Sequence, residues 1–104
     1  MVSFNVAEMS LRGPITGRFA GWSKVLSINL QGNAFTGPLP PNIGQEIPEI
    51  FSLLLSENQF DGEIPPSVGN LLNMRNLRLA GNQLGGSIVP ELGNLPSLCK
   101  SLYA

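Results

Sequence analysis

The stretch LLLSENQFDGEIPPSVGNL, residues 53–71, decides how this chain folds. Three carboxylates (Glu57, Asp61, Glu63) stand in an otherwise apolar, Gly/Pro-punctuated run, as a general acid/base pair or a hard-metal site would require. The same stretch, however, recurs. INLQGNAFTGPLPPNIG (Ile28 to Gly44) and LRLAGNQLGGSIVPELG (Leu77 to Gly93) match it column by column, and their anchors Asn33, Asn58 and Asn82 lie 25 and 24 residues apart. Stepping back from Asn33 reaches Met9, inside FNVAEMSLRGPITGRFA (Phe4 to Ala20), a fourth unit without the Asn. Self-similarity at a period of 20 to 50 residues is the signature of a stacked solenoid.

Each column has a physical reading. The pairs Ile28/Leu30, Leu53/Leu55 and Leu77/Leu79 have period 2, so each reads as a short strand buried on one face. Asn33, Asn58 and Asn82 follow where the chain must turn, and their amides can satisfy backbone groups of neighbouring turns, forming a ladder. Phe35, Phe60 and Leu84 return to the core. Gly37, Gly62 and Gly86 suit a tight bend where a side chain would crowd the next coil. Ile43, Val68 and Leu92, each followed by Gly, fit a short helical segment with its C-cap. The 25-residue spacing places one extra residue within Gln45 to Pro48. Repeats divide at about 1–24, 25–49, 50–73 and 74–97, and a fifth unit begins at 98.

These segments, above all GEIPPSVGNL and GSIVPELGNL (Gly62 to Leu71, Gly86 to Leu95), resemble the plant-specific leucine-rich repeats of receptor-like kinases, receptor-like proteins and polygalacturonase-inhibiting proteins. The resemblance implies an α/β solenoid: a right-handed superhelix of about four coils with short parallel strands on the concave face and a 3-10 or irregular convex side. It also implies a second small strand at the L-x-G-x-I-P motif, with outward positions Arg12/Pro14, Thr36/Pro38, Asp61/Glu63 and Gly85/Ser87. The implied setting is an extracellular or plasma-membrane signalling receptor, with a protein, peptide or glycan ligand. Val89 stands where the family has Pro, and the paired-cysteine caps of such ectodomains are missing.

The register then predicts the ligand face. Alternate strand residues point outward, giving the columns Ser3/Ser27/Ser52/Asn76, Asn5/Asn29/Leu54/Arg78 and Ala7/Gln31/Ser56/Ala80, edged by Glu8/Gly32/Glu57/Gly81. The candidate binding residues are Asn29, Gln31, Leu54, Ser56, Glu57, Asn76 and Arg78, with Asp61 and Glu63 as a secondary flank. For any single position the plain alternative is an ordinary solvated strand residue.

Composition removes other classes. The 104 residues carry a net charge of −1 with 12% charged residues, and the six Lys and Arg are scattered, so no basic footprint for nucleic acid exists. Without His and with one Cys, the chain has no Ser-His or Cys-His pair and no thiolate zinc set. No cofactor and no metal site are expected. No apolar run reaches the roughly 18 to 20 residues of a membrane span. MVSFNVAEMS lacks the features of a signal peptide and there is no N-x-S/T sequon, so compartment is not fixed from within. Trp22 is expected to pack on the convex side, and Cys99 to be a small buried hydrophobe or half of a cap disulfide.

Three functional readings follow: a non-catalytic binding module of receptor or inhibitor type, a carboxylate-based glycosidase using Glu57, Asp61 and Glu63, and a fragment without autonomous function. The pattern opens and closes part-way through a unit, and four uncapped coils bury little core, so end-to-end self-association is expected in the last case.

Overall fold

The computed structural model describes residues 3–19 and 21–85. Two parallel sheets run along the stack. Strands β1 (Ser3–Asn5), β3 (Ser27–Asn29), β5 (Ser52–Leu54) and β7 (Asn76–Arg78) pair in that order, one from each coil. Their register keeps the sequence columns: Asn5 lies beside Asn29, Asn29 beside Leu54, and Leu54 beside Arg78. The second sheet is β2 (Arg12–Pro14), β4 (Ala34–Pro38) and β6 (Gln59–Asp61).

Ile28, Leu30, Leu53, Leu55, Leu77 and Leu79 are all buried, as period 2 demands, and Leu39, Phe60, Ile64 and Val68 close the core from the other side. Full burial of such a side chain contributes about 2 kcal/mol before entropy is counted, so the stacked columns outweigh any polar surface term. Phe35 and Phe60 stack at 6.3 Å between coils.

The convex connections explain the uneven repeat length. Coil 3 turns through a 3-10 segment, Pro66–Asn70, with the Leu71 N–H donating to the Val68 carbonyl, three residues back. Coil 2 uses α1 (Ile43–Glu46) instead, with the Ile47 N–H donating to the Ile43 carbonyl, four residues back. Ile43 and Ile47 are buried like Val68 and Leu71. The extra residue of coil 2 therefore widens a 3-10 turn into an α turn while both core contacts are kept.

Two expectations need correction. Gly44 and Gly69 are not C-caps: both lie inside their helical segments, and a Cβ on Gly44 would strike the Ser67 backbone carbonyl of the next coil. Gly37 and Gly62 are not kept small by crowding, since the nearest atom to an added Cβ is 3.8 Å away. Their φ values of +81° and +73° require glycine instead. Trp22 occupies the same convex turn position as Ile47 and Leu71, its N–H donating to the Phe19 carbonyl and its carbonyl accepting from the Val25 N–H, and its ring is half-buried between Phe4 and Phe19, with centroids 5.1 and 5.2 Å apart. Leu11 is exposed and borders an open apolar groove at the first coil, lined also by Phe4, Val6, Ile15 and Phe19. The expectations for Gly86, Leu92 and Cys99 lie outside the described residues.

Candidate functional site

The four-stranded sheet is positioned by the asparagine ladder behind it. Asn58 Nδ2 donates to the Leu30 carbonyl of the preceding coil at 2.8 Å and to Leu55 and Ser56 of its own coil, while its Oδ1 accepts the Phe35 N–H. Asn82 repeats this with Leu55, Leu79, Ala80 and Phe60. Asn33 does the same with Val6, Leu30 and Gln31, and its Oδ1 accepts from both Met9 and Leu11. With buried polar backbone satisfied by one rigid amide per coil, the outward residues of successive strands stay in step.

On that sheet Asn29, Leu54 and Arg78 form one row through direct pairing, with Asn29 and Leu54 half-buried and Arg78 exposed. Asn76 is exposed beside Ser52. Gln31 and Ser56 are half-buried, one strand-step further along the chain. Ser52 differs from expectation: only 7% of it is accessible, so it belongs to the packing rather than to the outward row.

The edge column has a property that spacing alone does not reveal. Glu8 and Glu57 hold φ of +59°, matching Gly32 and Gly81 at +70° and +73° in the alternating coils. Each glutamate carboxyl leans over the glycine of the following coil, where a Cβ would collide with it. Left-handed backbone is costly for a side chain of this size, and the repeat imposes it at every coil. Glu57 thus sits, exposed, at the rim of the sheet.

Asp61 and Glu63 fall elsewhere. Asp61 ends β6 and Glu63 bridges to Gly85, both exposed on the flank. The second sheet is also staggered by two residues from the sequence columns: Gly37 pairs with Phe60, and Pro38 with Asp61. An even slip keeps the inward and outward faces, but it replaces the expected neighbour of Thr36, Asp61, with Gln59. The three acids of residues 53–71 are therefore split between the sheet rim (Glu57) and an open flank (Asp61, Glu63). Among the described residues no cluster of three metal-ligating side chains occurs, and no helix is long and apolar enough to cross a membrane.

A family profile for Leucine Rich Repeat matches residues 24–45, 49–71 and 73–95. No curated protein matches the chain in sequence. Among solved structures, a chain of the BIR3–SERK2 complex from Arabidopsis thaliana superposes with a TM-score of 0.90 at 31% identity, over 95% of this chain and 53% of that one. The Arabidopsis receptor kinase HAESA, in complex with the peptide hormone IDA and the co-receptor SERK1, gives 0.90 at 30% identity over 93% of this chain and 16% of that one. The BIR2 ectodomain from Arabidopsis thaliana gives 0.87 at 29% identity, over 90% and 49%. This chain thus spans about half the length of the first and third of these, and a small part of the second. With coils, ladder, sheets and relatives in agreement, the chain belongs to the leucine-rich repeat family, in the form found in plant receptor kinase ectodomains.

Proposed function

We propose that this chain is a non-catalytic recognition segment of a plant receptor-like ectodomain, taking a protein or peptide ligand on its four-stranded sheet. The carrying observation is the register that makes Asn29, Leu54 and Arg78 direct neighbours across three coils. Gln31, Ser56, Glu57 and Asn76 flank that row, and such inner solenoid faces serve as extended binding surfaces. HAESA, at 30% identity, is in complex with a peptide hormone, which supports a peptide here and an extracellular or plasma-membrane setting. The absence of catalysis rests on the acids themselves. Asp61, at the end of β6, and Glu63, at the bridge beyond it, lie exposed on the flank, and a glycosidase pair needs a walled cleft around the bond to be broken.

The reading is tested by panning a random 12-residue display library on the immobilised 104-residue chain, then mapping a selected peptide by amide chemical shifts. Perturbations centred on Asn29, Gln31, Leu54, Ser56, Asn76 and Arg78 are expected. A footprint on the flank or convex side, or no retained peptide, overturns it. So does glycoside turnover that vanishes in Glu63→Gln.

A further inference from the structure

Coils 2 and 3 share a groove on the flank, outside the four-stranded sheet. Its walls are the exposed rings of Pro38 and Pro41 from coil 2 and of Pro66 from coil 3. Its base is the buried Leu39, Ile64 and Pro65, and Glu63 stands exposed at its edge. The groove is open and measures about 340 Å³, at the small end of what ligand pockets enclose. Only these two coils carry a double proline: Pro40-Pro41 and Pro65-Pro66 stand where the first coil has Thr16-Gly17. The walls are rigid, since a proline ring has no rotamer freedom to lose on binding. Ser67 Oγ also donates to the Pro41 carbonyl at 2.9 Å, which holds the coil 3 turn against the coil 2 turn.

The groove also has one polarity. None of its lining side chains carries a hydrogen-bond donor, and its four prolines lack an N–H as well. Glu63 brings an acceptor-only carboxylate, and Asp61 lies beside Pro38 through strand pairing. Among the described residues neither acid is in an ion pair. The one cation of that sheet, Arg12, pairs with Ala34, four residues along β4 from Pro38 and so about 13 Å away along the strand. That exceeds the screening length in physiological salt, so the charge of the two acids is uncompensated.

We propose that this groove is a second binding site, independent of the inner sheet, for a protein segment that carries an aromatic ring followed by Lys or Arg. Proline-rich ligands dock in grooves whose aromatic rings belong to the receptor. Here the receptor supplies the prolines, so the ring comes from the ligand. It seats against Pro38, Pro41 and Pro66, and the neighbouring cation reaches Glu63 and Asp61. A carboxylate next to the ring is repelled by like charge, which sets the specificity.

Titrating the isotope-labelled 104-residue chain with three blocked dipeptides tests this: acetyl-Trp-Lys-amide, acetyl-Trp-Glu-amide and acetyl-Gly-Lys-amide. With the Trp-Lys dipeptide, saturable shifts are expected at the N–H groups of Leu39, Asp61, Glu63 and Ile64. The Trp-Glu dipeptide is expected to bind about fivefold more weakly, the worth of a good exposed ion pair, and the Gly-Lys dipeptide not to saturate. Asp61→Asn combined with Glu63→Gln, both at exposed positions, should bring the two Trp dipeptides to equal affinity. Pro38→Ser, which copies Ser87 of the same column, should weaken the Trp-Lys dipeptide while keeping its preference over Trp-Glu. Equal binding of the Lys and Glu dipeptides to the native chain, a preference that survives in the double variant, or shifts confined to other surfaces overturns the proposal. So does the absence of any saturable shift. The inner-sheet reading stands or falls by the library peptides alone.

Discussion

Asn58 Nδ2 reaches across the stack to the Leu30 carbonyl at 2.8 Å, and its Oδ1 accepts the Phe35 N–H, so one buried amide bonds coil 3 to coil 2 twice. Asn58 is 7% accessible, so its bonds are made in the low-dielectric interior. Asn58→Ala removes the amide and leaves the Phe35 N–H without its partner, while the Leu30 and Leu55 carbonyls keep Asn33 and Asn82. A buried N–H left unpaired costs about 1–3 kcal/mol, so a loss of roughly 2 kcal/mol is expected in urea unfolding. A loss below about 1 kcal/mol would show that the ladder is ornamental.

Gly44 offers a test of close packing against helix propensity. Within a helix Gly→Ala stabilises by about 0.5–1 kcal/mol. Here the new methyl group would meet the Ser67 carbonyl of the stacked turn, which is backbone and cannot step aside. Gly44→Ala is therefore expected to destabilise by about 2 kcal/mol, the overpacking cost. Ser67→Ala is expected to lose about 1–2 kcal/mol, because Ser67 Oγ donates to the Pro41 carbonyl and accepts from the Gly44 N–H. A neutral or stabilising Gly44→Ala in thermal unfolding would refute the stacking.

Glu57 and Gly81 should be coupled. Gly81→Ala forces a side chain into φ +73° and pushes on the Glu57 carboxyl, so a cost of about 1–2 kcal/mol is expected. In a Glu57→Gly background the collision is gone and only the backbone cost remains. A double-mutant cycle should return a coupling of about 0.5 kcal/mol or more. Strict additivity would mean that the carboxylate moves aside freely.

The first coil can be improved. Met9 occupies the ladder position yet is 60% exposed, and its N–H already donates to Asn33 Oδ1. Asn at this position would gain bonds to the Val6 and Ala7 carbonyls, as Asn33 has with Leu30 and Gln31. Met9→Asn is expected to raise the unfolding free energy by about 0.5–1 kcal/mol. No gain in the urea midpoint would show that this position needs a preceding coil.

The repeat columns alone were enough to place the strands of the inner sheet, the ladder asparagines and, apart from Ser52, the outward faces, because a strict period forces equivalent residues into similar environments. Ile28, Leu53 and Leu77 are read as core from spacing, and the structure buries all three. The extra residue near Gln45 was legible as a count, but its conversion of a 3-10 turn into an α turn was not, since that depends on keeping Ile43 and Ile47 both in the core.

What the sequence determined is the period, and with it the solenoid and its inward and outward faces. What only the tertiary structure decided is how neighbouring coils meet. The two-residue stagger of the second sheet, the burial of Ser52, the carboxyls of Glu8 and Glu57 laid over glycines, and the bond from Ser67 Oγ to the Pro41 carbonyl all belong to that class. The reason is physical. A period fixes which residues are equivalent along the chain, whereas stagger, contact and hydrogen-bond direction are set by atoms that meet only once the coils are stacked.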